Sequence, residues 1–131
     1  MPGGIRTLAP GETKYRLPIC RDGNCLNDPA HPYWGRYEGD EDTRRKPAYH
    51  NGTAWTWPYP SYAEALMIEY GESARATAKA LIASGIELME KDCAGQLPEI
   101  MDGDTPHYGR GCDAQAWGIS EFLRVAILTN A

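Results

Sequence analysis

The sequence predicts an all-α chain, with a loop-rich first half, residues 1–60, ahead of three helices in residues 61–131. Two observations carry this reading. Between Met1 and Pro60 no helical period is found, and proline and glycine recur from Pro2 and Gly3 through Gly23, Pro32 and Gly39 to Pro58 and Pro60, a composition that makes loops and short extended pieces. After Pro60 the apolar residues fall at helical spacing.

The first half is too long to be idle. A structureless run of this length is uncommon in a compact domain, and is either functional or disordered. Its aromatic residues Tyr33, Trp34, Tyr37, Tyr49, Trp55, Trp57 and Tyr59 argue against disorder, because disordered segments are poor in them. This half is expected to pack over something that need not lie in the chain.

In the second half, Ser61 followed by Glu64 fits a capping box. Gly71 makes a stop, so a first helix is expected near Ser61 to Tyr70. Tyr62, Ala63, Ala65, Leu66, Met67, Ile68 and Tyr70 leave it almost no polar face, which predicts burial on most sides. A second helix near Glu72 to Lys91 carries Ala74, Ala78, Leu81, Ile82, Gly85, Ile86 and Met89 on one stripe. A third begins near Asp113, with Ile119, Phe122, Leu123, Ala126 and Ile127 in register. Three such helices cannot enclose a fully apolar one among them, so the chain is expected to belong to a larger helical assembly.

Composition narrows the function. The chain has 131 residues and a net charge of −5, enough for one domain or a piece of a larger one. An acidic, mixed surface argues against nucleic acid or an anionic membrane as partner. No apolar run approaches the roughly 20 residues of a membrane span, and the opening residues do not read as a signal peptide. Four cysteines, Cys20, Cys25, Cys93 and Cys112, are sparse for a disulfide scaffold, which favours a reducing, cytoplasmic setting. Eight Tyr and four Trp against a single Phe favour aromatic residues with a polar handle, which suit stacking on sugars.

One loop concentrates the chemistry. "LPEIMDGDTPHYGRGCDAQAW", Leu97 to Trp117, holds Glu99, Asp102 and Asp104, then His107 and Arg110, along a path fixed by Pro98, Pro106, Gly103, Gly109 and Gly111. Shaped loops that carry carboxylates are where catalysis tends to sit.

The surrounding motifs resemble a known family. "AYHNGTAWTWPYPSYAEALMIEYG", Ala48 to Gly71, and "PEIMDGDTPHYGRGCDAQAWGISEFLR", Pro98 to Arg124, are similar to the Y-H-N-G-T-x-W-x-W and E-I-x-D-G-D-x-P-H … G-C-x-A-Q-A-W … E-x-L-R segments of the glycogen debranching enzyme C-terminal family. "GIRTLAP", Gly4 to Pro10, and "GRYEGDED", Gly35 to Asp42, resemble the stretches before the first of these. The resemblance implies an amylo-α-1,6-glucosidase whose fold is an (α/α)₆ toroid of about twelve helices, of which residues 1–131 would be the C-terminal portion. "YRLPICRDGNCLNDPAHPYW", Tyr15 to Trp34, is longer than the family's usual connection.

Glycoside hydrolysis needs two carboxyl groups, one to protonate the leaving oxygen and one to activate water or attack the anomeric carbon. The resemblance makes Glu99 the general base of an inverting mechanism. It places the general acid, an aspartate, in an earlier part of the fold outside this chain, so the chain alone is expected to be inactive. Asp102 and His107 either bind sugar hydroxyls or brace the loop. Asp104 and Arg110 read as structural, and Gln115 and Trp117 as packing residues at the start of the last helix. Trp55 and Trp57, two apart, would face one way in an extended piece and offer a wall for a glucose ring. Tyr49, His50 and Asn51 supply donors and acceptors for its hydroxyls.

No cofactor and no metal are expected. Cys20, Cys25 and His31 lack a fourth zinc ligand, and the D-G-D turn lacks the twelve-residue calcium pattern. The expected partners are a glycogen-like glucan and the remainder of the toroid, in cis or as a second chain, with no nucleic acid and no membrane. Two other readings stand beside hydrolysis of α-1,6 branch linkages: another toroidal glycosidase, trehalase-like or glucoamylase-like, or a non-catalytic glucan-binding or interaction fragment.

Overall fold

A computed structural model describes residues 3–91 and 94–131; Cys93, one of the four cysteines read from the sequence, lies outside them. Along the chain come strands β1 (Ile5–Arg6), β2 (Cys20–Arg21) and β3 (Asn24–Cys25), a π-helical turn (Glu41–Arg45) and helix α1 (Lys46–Tyr49). Strand β4 (Ala54–Trp55) precedes helix α2 (Tyr59–Tyr70), a 3₁₀ turn (Gly71–Ala74) and helix α3 (Arg75–Lys91). Strands β5 (Ile100–Met101) and β6 (Gly109–Arg110) then lead to helix α4 (Ala116–Thr129).

This corrects the all-α expectation, and with it the toroid. β2 and β3 form an antiparallel hairpin, and β1-β4-β5-β6 form a second sheet in that order. The fold is mixed α and β. Each strand is two residues long, too short for the alternation that would reveal it in sequence.

Among the described residues the chain divides into two compact units, one from 3–5, 55–101 and 109–131 and the other from 6–54 and 102–108. The first unit holds α2, α3 and α4. Its core is Ala63, Ala74, Ala78, Ile82, Leu88, Leu97, Ile100, Met101, Phe122 and Val125. Ala74, Ala78, Ile82 and Gly85 of the expected α3 stripe are buried, while Ile86 is exposed. A methyl group on Gly85 would collide with the Phe122 ring, so the missing side chain lets α3 and α4 approach closely. On α4 the buried line is Gly118, Phe122, Val125 and Thr129. Leu123 and Ile127, expected on the inner stripe, are 61% and 68% exposed.

Helix α2 departs furthest from expectation. Only Tyr59, Pro60 and Ala63 are buried on it, and Tyr62, Ile68 and Tyr70 are exposed. The reason is that α3 and α4 cover one side of α2, and its remaining apolar side has no cover among the described residues. Nor does the capping box form. The helix starts at Tyr59 with no side-chain cap, and Pro60 in its first turn pre-sets the backbone angle at a position where its lack of an N–H costs no helical hydrogen bond.

Glu64 is engaged elsewhere, accepting two hydrogen bonds from Arg124 of α4 at 2.8 and 2.5 Å. Those bonds hold the Glu64 carboxyl below its ordinary range. Stability from this clasp is therefore complete above the ordinary glutamate pKa and disappears as pH falls through the lowered folded value. In denaturant titrations, Arg124→Ala should be less stable than the parent at neutral pH, and the difference should close in acid. A gap that persists at low pH would assign the loss to packing of the arginine stem.

The second unit centres on Pro32, Ala48, Thr53, Ala54 and Asp102, all buried. Arg6 spans it, donating from Nε and a terminal nitrogen to the Gly103 carbonyl at 3.0 and 2.7 Å. Asp40 starts the Glu41–Arg45 turn by accepting from the Asp42 and Thr43 N–H groups. No helix among the described residues is long and apolar enough to cross a membrane.

Candidate functional site

In the first unit, Glu99 sits just ahead of β5 with its backbone tied on both sides. Its N–H donates to the Cys112 carbonyl at 2.9 Å, and its carbonyl accepts from the Thr56 N–H at 3.3 Å. The Thr56 hydroxyl, donating to the Pro98 carbonyl at 2.6 Å, fixes the preceding residue. The half-buried carboxylate is oriented as well. Oε2 accepts from the Cys112 N–H at 3.2 Å, and Oε1 accepts from the Gln115 side-chain amide at 3.1 Å. Gln115 in turn accepts from the Trp117 indole N–H, so one chain of hydrogen bonds runs from the first turn of α4 to Glu99. Gly111 makes room for this arrangement: its φ is +74°, and a methyl group there would overlap Glu99 Oε2. Only glycine meets both demands at little cost.

Beside this carboxylate lie three tryptophans. Trp57 stacks on Trp117 with ring centres 5.1 Å apart, and Trp55 meets Trp117 edge-on at 6.3 Å. Trp57 and Trp117 remain 38% and 47% exposed. Trp117 thus joins the two tryptophans of the aromatic wall, although Trp57 lies past the end of β4 in a turn. Gln115 and Trp117, read from sequence as packing residues, are the partners that orient Glu99 and complete the cluster. Their signal was present in the G-C-x-A-Q-A-W run, where a polar amide and an indole sit two residues apart at a helix start.

The remaining candidates lie in the second unit. Asp102 is fully buried. It accepts from the Tyr37 N–H at 2.8 Å and stands 3.7 Å from the Arg36 guanidinium. His107, in a left-handed backbone conformation at φ 62°, places Nδ1 3.0 Å from the Asp102 carbonyl; since a carbonyl only accepts, the proton sits on Nδ1. Both residues thus brace the D-G-D turn. Asp104 accepts from the Tyr33 hydroxyl at 2.8 Å, and desolvation followed by this carboxylate raises the Tyr33 pKa.

Asn51 donates from its side chain to the Pro47 carbonyl at 2.7 Å. Tyr49 packs edge-on against His50 with centroids 4.9 Å apart. His50 and Asn51 border a cavity of about 480 Å³. A second cavity, about 500 Å³, is lined by Tyr33, Trp34, Arg36, Glu38, Arg44 and Asp104, with the Arg44 guanidinium 5.5 Å from the Trp34 ring centre. This combination of an indole face with acids and cations suits a polar ligand. Apart from Asp104, its lining comes from the stretch around "GRYEGDED", where no site residue was read from the sequence.

The structure therefore assigns Glu99, Trp55 and Trp57 to one unit and Tyr49, His50, Asn51, Asp102 and His107 to the other. Among the described residues no three His, Cys, Asp or Glu side chains gather as a metal set, and His31 pairs with Asp28 at 2.9 Å.

No curated protein and no solved structure matches the chain. A family model does. The model described as amylo-alpha-1,6-glucosidase covers residues 1–124, a span that includes Glu99, its amide donors and all three tryptophans of the cluster, and the chain belongs to that family.

Proposed function

We propose that the chain forms part of a glycoside hydrolase acting on α-1,6-glucosidic branch linkages of glycogen or a related glucan, with Glu99 as general base. The observation that carries this reading is a carboxylate fixed by two N–H donors beside a partly exposed tryptophan cluster. Two donors hold the Glu99 carboxylate in one orientation. Water placed against that carboxylate loses a proton to it while its oxygen attacks the anomeric carbon. A second carboxyl group protonates the departing O6 of the branch-point glucose. In an inverting enzyme the two stand roughly 6.5–9.5 Å apart, leaving space for the water. The second carboxyl comes, in this proposal, from further helical segments in the same chain or in a partner.

The stereochemistry of the first product tests the mechanism. Hydrolysis followed by proton NMR should show β-glucose appearing before mutarotation; initial α-glucose would mean that Glu99 acts as a nucleophile or not at all.

The tryptophans supply the glucan contact. Of Trp55→Ala, Trp57→Ala and Trp117→Ala, at least one should lose about 1 kcal/mol or more of glucan affinity, a common size for truncating an aromatic anchor. If all three bind glucan like the parent and differ only in thermal stability, the cluster is core and the sugar lies elsewhere.

A further inference from the structure

The stretch "ICRDGNCL", Ile19 to Leu26, contains two cysteines and an Asp-Gly pair between them. Asp22 and Gly23 adopt φ of 48° and 79°, the two positive values of a type I′ turn, whose twist matches a tight hairpin. The register pairs Arg21 with Asn24 and Cys20 with Cys25. Further out, the Leu26 N–H donates to the Ile19 carbonyl at 2.8 Å. Bonded and non-bonded pairs alternate along an antiparallel ladder. With Arg21/Asn24 closing the turn and Ile19/Leu26 bonded, Cys20/Cys25 is the non-bonded pair between them. Such a pair has Cα atoms about 4.5 Å apart and side chains at their closest. That lies within the roughly 4.4–6.8 Å that a disulfide spans.

The surroundings hold the thiols in this relation. Asn27 accepts the Ile19 N–H at 2.8 Å and donates to the Leu17 carbonyl at 3.0 Å, which locks the base of the hairpin. The Cys25 thiol donates to the Asn27 carbonyl at 3.4 Å. Local desolvation, then the hydrogen bond to Cys25 and its charge, raise the pKa of the Cys20 thiol. The first attack is assigned to Cys25. Both thiols are free and exposed. Cys20 also borders the cavity of about 480 Å³ that reaches Leu26, Lys46 and His50, which gives a small reagent room to approach.

We propose that Cys20 and Cys25 form an exchange-active dithiol that closes into a cross-strand disulfide on reaction with a small-molecule disulfide. The Cys25 thiolate attacks one sulfur of the reagent. The reagent's S–S bond breaks, and one thiolate leaves. Cys20 then gives up its proton, and its sulfur attacks Cys25 Sγ in the mixed disulfide and expels the second thiolate, which takes up a proton. The protein is oxidised by two electrons and the reagent is reduced to two thiols. The new bond ties β2 to β3 at the edge of the cavity that holds His50 and Asn51.

The test uses the full chain carrying Cys93→Ser and Cys112→Ser, so that only this pair remains. It is equilibrated in mixtures of reduced and oxidised glutathione, quenched with acid, alkylated and mapped by peptide mass, which reads the pair whether the chain is monomeric or associated. The expected result is an internal Cys20–Cys25 disulfide, reversed by dithiothreitol. Its equilibrium constant should be at least about tenfold larger in the folded chain than in urea, because the hairpin raises the effective concentration of one thiol at the other. Gly23→Val, which opposes the left-handed turn, should bring the constant down toward the unfolded value. Separate glutathione adducts on both cysteines, or the same constant folded and unfolded, would overturn the proposal.

Discussion

In the complete enzyme, with the further helical segments supplied, Glu99→Gln should lower kcat on a branched glucan by about 10²–10⁴-fold, the usual contribution of a positioned general base, with KM little changed. The substitution keeps the size and shape of the side chain and removes its capacity to take a proton. The structure adds a second expectation. Both carboxylate oxygens face N–H donors, from Cys112 and from Gln115. A carboxamide has one oxygen, so its NH₂ must oppose one of these donors or turn away. Gln115→Ala should therefore act on the same step through position alone. It frees Oε1 while leaving the base intact, and should cost less in kcat than the loss of Glu99. In pH–rate profiles the parent and Gln115→Ala should keep the acid-side limb that reports the base, and Glu99→Gln should lose it. Near-parental turnover in Glu99→Gln would remove Glu99 from the mechanism, and an unchanged Gln115→Ala would remove the hydrogen-bond chain from α4.

How far the sequence disclosed this arrangement depended on the kind of signal each part leaves. The three long helices were legible because Ala74, Ala78, Ile82 and Gly85 repeat at helical spacing over several turns. The two-residue strands were not, since a pair of residues such as Ile100 and Met101 has no period to read. The hairpin at Cys20 to Cys25 did carry a local signal, the Asp-Gly pair, and was passed over within a proline- and glycine-rich stretch. The inner face of α4 was misjudged by one register. Gly118 and Thr129, which are buried, add nothing to an apolar count, whereas Leu123 and Ile127 do. Among site residues, Glu99 is singled out by its motif alone. The roles of Gln115 and Trp117 depend on contacts with residues far away in the chain, which spacing does not record. For Asp102, which the D-G-D motif leaves between sugar contact and loop bracing, burial and the Tyr37 N–H supply the bracing contacts.

The second large effect concerns association. Tyr62, Ile68 and Tyr70 on α2, and Leu123, Ile127 and Leu128 on α4, are exposed at 44–79% of their surface. Scattered apolar residues are ordinary on a soluble protein. Six large ones on two neighbouring helices are not, and such surfaces mark interaction sites or lead to aggregation. Expressed alone, residues 1–131 should self-associate and show no measurable release of glucose from α-1,6 linkages. Adding the further helical segments proposed to supply the acid, by fusion or as a second chain, should restore a defined species and hydrolysis together. A double substitution, Ile68→Glu with Ile127→Glu, separates the causes. It should make the isolated chain more soluble, because charge disfavours burial of that face, and it should also abolish complementation by the added helices. If the double variant still complements, the helices dock elsewhere. A parental chain that is monodisperse, melts cooperatively and releases glucose unaided would require the acid to be sought among its own carboxylates, with Asp104 and Asp113 tested first, since Asp102 is already buried and braced.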